Sequence, residues 1–137
     1  MQILRLPYYD TEYNQQSPRI LWEENMHESW DDYAAADKFI VVDGSEIVGG
    51  FAVYWDDSDG IAGHYCSGWA KHGAHVPTGR ILQQLAQTAG DVYFKTDKRT
   101  AKILLEKIGE RVKNVGRFGY FIMKREKNDI LEENIRF

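Results

Sequence analysis

The chain has 137 residues, 43% of them hydrophobic and 28% charged, with a formal net charge of −4. That is the size of one ordinary domain with enough apolar residues for a core, which excludes the disordered and fibrous classes. No apolar run approaches the ~18–20 residues of a membrane helix, the acidic balance disfavours nucleic acid and membranes as partners, and a lone cysteine, Cys66, points to a reducing, cytoplasmic compartment.

The first 30 residues carry charge throughout, so no secretory signal is predicted. Residues 2–6 alternate weakly up to Pro7, which predicts an edge strand. Ser17-Pro18 reads as a helix start, with Ser17 as cap and Pro18 at N1, where a missing N–H costs nothing. The apolar spacing through Ile20, Leu21, Met26, Trp30 and Tyr33 is helical but ragged, so one broken helix or two short ones span 18–36. Residues 38–43 and 46–55 predict a hairpin about Asp43-Gly44-Ser45. Gly49-Gly50 within the return strand predicts a bulge or a close backbone approach.

A second turn at 56–60 precedes a strand at 61–69. Pro77 opens a helix whose apolar face is Ile81, Leu82, Leu85 and Ala89, and Gly90 stops it. Residues 91–96 form a strand, and Asp97 is read as the cap of a helix ending at Gly109. Residues 110–126 predict a final hairpin or bent strand, and 127–137 a charged tail. The strand, helix, strand unit over 61–94 requires a parallel pair. The expected fold is α/β: one domain over 1–126, with a mixed central sheet of six or seven strands and helices on both faces.

Three stretches together resemble the GNAT N-acetyltransferase superfamily. They are the hairpin Phe39 to Val53 with its Gly50-Phe51 step, the helix and strand at 77–96, and the run Ala101-Lys-Ile-Leu-Leu-Glu-Lys-Ile-Gly109. The resemblance implies a GNAT-like domain that transfers an acetyl or acyl group from acyl-CoA, normally acetyl-CoA, to an amine substrate. The family's cofactor loop, Gln/Arg-x-x-Gly-x-Gly/Ala, falls on Ala74, Pro77 and Gly79, of which Gly79 fits. Backbone N–H groups there would hold the pyrophosphate at a helix N-terminus. Trp69, Gly73, Thr78, Gly79 and Arg80 are the cofactor-binding candidates on this reading. Leu105 stands where many members carry the tyrosine that protonates the leaving thiolate.

The catalytic base would come from His64, Asp56 or Asp57, with His64 favoured because its ordinary pKa lies nearest neutral. Backbone N–H groups along 61–69 would polarise the acyl carbonyl. No metal is expected: His64, Cys66, His72 and His75 match no zinc spacing, and Cys66 reads as a small buried hydrophobe. The basic cluster Lys95, Lys98, Arg99 and Lys102 reads as a solvated helix face. The alternative function is a catalytically inactive GNAT-fold binding or structural accessory that engages a protein partner. Small phage proteins of this kind resemble the chain in length and in the Leu-Glu-Lys-Ile-Gly ending, and would be found in the host cytoplasm or the virion.

Overall fold

The computed structural model describes residues 1–7, 12–58, 60–73 and 78–125. Among them the elements run β1 (Gln2–Arg5), α1 (Pro18–Met26), a 3-10 turn (Trp30–Tyr33), β2 (Asp37–Asp43), β3 (Glu46–Asp56), β4 (Gly63–Ala70), α2 (Thr78–Ala89), β5 (Val92–Thr96), α3 (Arg99–Ile108), β6 (Glu110–Val115) and β7 (Phe118–Met123). The strands form one seven-stranded sheet in the order β1-β2-β3-β4-β5-β7-β6. Only β4 and β5 are parallel, with α2 as their crossover. The tail at 127–137 and Pro77 lie outside the described residues.

The ragged helical region resolves into two pieces for a local reason. Ser17 Oγ accepts from the Ile20 N–H at 3.2 Å and starts α1. His27 then turns left-handed at φ 57° and ends it. Ser29 caps the following 3-10 turn through the Asp31 N–H. Asp97, expected to cap α3, does not do so. Lys98 holds the cap position without a side-chain bond, while the Asp97 carboxylate is drawn to Arg117 at 3.5 Å.

The hairpin glycines do what their spacing predicts, and both alternatives are realised. Val41 pairs with Gly49 and Val42 with Ile47, so Val48 is an extra residue and β3 bulges there. The close approach is made by the chain itself: a Cβ on Gly50 would sit 2.8 Å from the Trp69 indole nitrogen.

Two layers cover the sheet. The α2–α3 side holds the main core, including Phe39, Val41, Phe51, Cys66, Ile81, Leu85, Val92, Phe94, Leu105 and Phe121. The α1 side is smaller and aromatic, with Trp22, Trp30 and Ala52 joined by Tyr33 and Trp69. Gly109 is required where α3 meets β7: a Cβ there would lie 2.6 Å from the Ile122 carbonyl oxygen and 3.2 Å from that of Leu105. Backbone atoms cannot swing aside, so Gly109→Ala is expected to cost about 2 kcal/mol. A urea melt reads this directly, and an unchanged midpoint would show that the helix end can move freely.

Lys38 is buried on the α1 side. Its ammonium donates to the carbonyls of Tyr33 and Ala36 and lies 5.0 Å from the centre of the Trp30 ring. Burial lowers its pKa below the ordinary 10.5. Between the folded value and 10.5 the unfolded chain therefore binds more protons than the native one, and stability rises with pH across that window. The denaturation midpoint of the wild type should climb from pH 8 to pH 10.5 relative to Lys38→Met. Parallel pH profiles for the two proteins would contradict this.

Candidate functional site

Strand β4 pairs with β3 from Gly63 to Ala70, but with β5 only at Tyr65↔Tyr93. Past that point the two strands part. The β5-facing N–H and C=O groups from Gly68 to Ala70 make no ladder to β5, in the middle of a seven-stranded sheet. Gly68 lies in this stretch and is exposed, although its strand is central. A wedge-shaped cleft results, with the β4 backbone as one wall. Its narrow end is shut by the stacked rings of Tyr65 and Tyr93, 5.4 Å apart, and the Tyr65 hydroxyl is anchored to the Ile61 carbonyl at 2.8 Å.

The predicted site residues spread around this cleft rather than converging on it. His64 pairs with Trp55, and their rings meet edge-on at 5.4 Å. His64 precedes the Tyr65–Tyr93 closure and shares the α2–α3 side with Cys66, two residues on. Asp56 is one residue past Trp55 and faces the other way. Its carboxylate accepts the Ser58 N–H at 2.8 Å and the Ser58 hydroxyl at 2.7 Å, and these bonds hold its pKa below the ordinary value. Asp57 is exposed in the same turn.

Trp69 lies across Gly50 on the α1 side. Gly73 adopts φ 81° in the segment after β4. Thr78, Gly79 and Arg80 form the first turn of α2, with Arg80 exposed. Gly79 faces α3, where a Cβ would meet Ile108 and Leu104 at an ordinary 3.5 Å. His72 is exposed, while Ala74 and His75 lie outside the described residues. Cys66 is buried, and burial pushes its thiol pKa up, which makes it an inert core residue. Among the described residues no cluster of three or more His, Cys, Asp or Glu is arranged to hold a metal.

A second polar group borders the open part of β4, and sequence reasoning missed it. Ser67 and Tyr54 are diagonal cross-strand neighbours on the α1 side, with their hydroxyls 3.0 Å apart. The Tyr33 ring packs edge-on to Tyr54 at 5.5 Å and to Trp22 at 5.0 Å. The Tyr33 hydroxyl donates to Glu28 Oε2 at 2.5 Å. Burial raises the pKa of both phenols, so they remain protonated at neutral pH. Two hydrogen-bonded pairs thus lie side by side on this face, Glu28–Tyr33 and Tyr54–Ser67, joined by the edge-on contact of the two tyrosine rings. Strand parity places Tyr54 and Ser67 together, but the 3-10 turn had to fold before Tyr33 and Glu28 could join them.

Solved structures share this architecture. IAA acetyltransferase from Bacillus cereus ATCC 14579 superimposes with a TM-score of 0.60 at 12% identity, over 90% of this chain and 98% of the other. A mutant of the toxin AtaT, bound to the C-terminus of the antitoxin AtaR, superimposes with a TM-score of 0.56 at 8% identity, over 96% of each chain. The chain therefore has the GNAT fold, as a divergent example of it. At these identities the likeness establishes the fold alone. No protein-family profile matches the sequence, and no curated protein matches it.

The described residues fit an acyl-CoA in part. The open backbone at 68–70 offers hydrogen-bonding groups, and the first turn of α2 is the next described helix N-terminus after β4 in the chain. Leu105 is buried in the core and offers no hydroxyl to a leaving group.

Proposed function

We propose that the protein is an N-acyltransferase that moves an acetyl or other acyl group from acyl-CoA to an amine. The observation that carries this reading is the opening between β4 and β5 bordered by the Tyr54–Ser67 hydroxyl pair, with the Tyr33–Glu28 pair packed against it. Bound acyl-CoA would supply an activated thioester. The β5-facing N–H groups of Gly68 and Ala70 would orient and polarise its carbonyl. Thr78, Gly79 and Arg80, with Gly73 before them, would favour its phosphates at the head of α2.

The amine would approach on the α1 side. Its proton would pass to the Ser67–Tyr54 hydroxyl pair and, with a hydrogen bond formed from Ser67 to the neighbouring Tyr33 hydroxyl, on to Glu28. Each hydroxyl accepts on a lone pair as it gives up its own hydrogen, so no phenolate is needed. On this reading Glu28 takes the role of base in preference to His64, Asp56 and Asp57, because its partner Tyr33 packs against the Tyr54 that bonds Ser67 on the cleft wall.

A second reading has one observation in its favour. With Leu105 in the core, the leaving thiolate receives no proton from that position, which suits a protein that binds without turnover. Calorimetry with acetyl-CoA, followed by a thiol-release assay over a panel of amines, separates the two. Micromolar binding with amine-dependent thiol release is the expected result. Binding without release would support the binding protein, and no heat at millimolar acetyl-CoA would overturn both forms of acyl-CoA recognition.

A further inference from the structure

We propose that the acceptor is an amine that also carries an anionic group, a carboxylate or a phosphate, and that Lys95 and Lys113 hold that group beside the β4–β5 opening. The inference rests on the acyl-transfer reading above and adds the chemical class of the acceptor.

Tyr65 and Tyr93 are register partners on β4 and β5, and their stacked rings close the narrow end of the opening. Side chains alternate along a strand. The next residues on the same side are therefore Ser67 on β4 and Lys95 on β5, one on each wall. Ser67 is the hydroxyl bonded to Tyr54. Lys95 is exposed and pairs with Tyr120 on β7, which pairs in turn with Lys113 on β6. The Tyr120 ring centre lies 5.6 Å from Lys95 Nζ and 5.0 Å from Lys113 Nζ. Lys95 Nζ is also 5.0 Å from the centre of the Phe118 ring, and the Arg117 guanidinium is 5.6 Å from it. Three cations thus gather over two neighbouring rings.

The ring faces attract each cation, but the cations repel one another, and an anion bound between them relieves that repulsion. Two carboxylates lie close. The Lys95 charge reaches Asp56, which Ser58 already engages, and Asp97 pairs with Arg117 at 3.5 Å. Among these described groups the balance stays positive, in a chain whose formal net charge is −4. Helix α1 packs on β3 and β4, while α2 and α3 reach β7 from the opposite side, which leaves the Lys95 head exposed to an incoming ligand. Strands lie about 4.8 Å apart, so an amine at Ser67 and an anion held over Tyr120 are separated by roughly 5–10 Å. A short aliphatic chain spans that distance.

Thiol release from acetyl-CoA with matched amines tests this. The anionic amines are 6-aminohexanoate and 3-aminopropyl phosphate, and their neutral counterparts are hexylamine and 3-aminopropanol. The anionic member of each pair, or of one pair if the site prefers one anion, should exceed its counterpart by about 10-fold or more in kcat/KM, the scale of a hydrogen bond to a charged group. Lys95→Gln should lower that advantage by about 10-fold, mainly through KM, and leave the neutral amines within about 3-fold. Lys113→Gln should act in the same direction. Lys95→Arg keeps the charge and should retain most of the preference.

Equal kcat/KM for anionic and neutral amines would overturn the inference and leave the acyl-transfer reading standing. A preference that survives both glutamine variants would overturn the role of the two lysines. Thiol release with no amine of either class would overturn the acyl-transfer reading itself, and the inference with it.

Discussion

Gly68→Ala is expected to lower the unfolding midpoint by about 10 °C. The new methyl would be placed 2.1 Å from Phe51 Cδ1 and 2.7 Å from the Gly50 carbonyl oxygen. The ring is packed in the core and the carbonyl belongs to a central strand, so neither gives way cheaply. Overpacking of this kind costs about 3 kcal/mol, which for a domain of this size is roughly 3–4 °C per kcal/mol. The double variant Phe51→Ala/Gly68→Ala separates the two contacts. With the ring gone the methyl keeps only its clash with Gly50, so the pair should be more stable than the sum of the single losses, by about 1–2 kcal/mol. Additive losses would show that the ring does not rest on Gly68.

That pair also marks the boundary of what the sequence alone conveys. Local chemistry was legible: Ser17-Pro18 opens α1, Gly44 at φ 60° turns the β2–β3 hairpin, and Gly90 at φ 95° follows α2. The order of strands and helices follows from such signals, and with it the parallel β4–β5 pair. Asp97 misled because an aspartate before a helix reads as a cap until a distant arginine claims it, and Arg117 sits on another hairpin. Gly49-Gly50 announced that something comes close, yet only the folded sheet reveals that it is Trp69.

The site was less legible than the fold. His64, Asp56 and Asp57 stand out in the sequence for their chemistry and their nearness to β4. Strand alternation sends His64 and Asp56 to opposite faces, and Ser58 already occupies the Asp56 carboxylate. Glu28, Tyr33, Tyr54 and Ser67 lie on a turn and two strands, with no spacing that links them. What joins them is the packing of the 3-10 turn onto the sheet, held by the Trp22 and Tyr33 rings and by Lys38 reaching the Tyr33 carbonyl. On the proposed reading Lys38 is thus a positioning residue for Tyr33. For that reason the alkaline behaviour of Lys38 and the function of Tyr33 are expected to be coupled.

Glu28→Gln is expected to reduce amine acylation by about 100-fold or more, the usual scale for loss of a general base. The substitution keeps the shape of the side chain and still offers an oxygen to the Tyr33 hydroxyl, but an amide cannot take up the proton at neutral pH. Glu28 is exposed, so the folded state should change by no more than about 0.5 kcal/mol. Acyl-CoA affinity should also be retained, because the carboxylate lies at the far end of the proposed proton route from the cleft wall. The loss would therefore appear in kcat rather than in donor binding. Tyr33→Phe cuts the same route one step nearer the cleft and should fall in the same range, whereas His64→Ala, beyond the Tyr65–Tyr93 closure, should change the rate by less than about 3-fold. If instead His64→Ala removes the activity and Glu28→Gln spares it, the proton leaves at the other end of β4, and the two hydroxyl pairs are a packing device of the α1 face. Both variants bind acyl-CoA under either outcome, so the comparison locates the base whichever residue carries it.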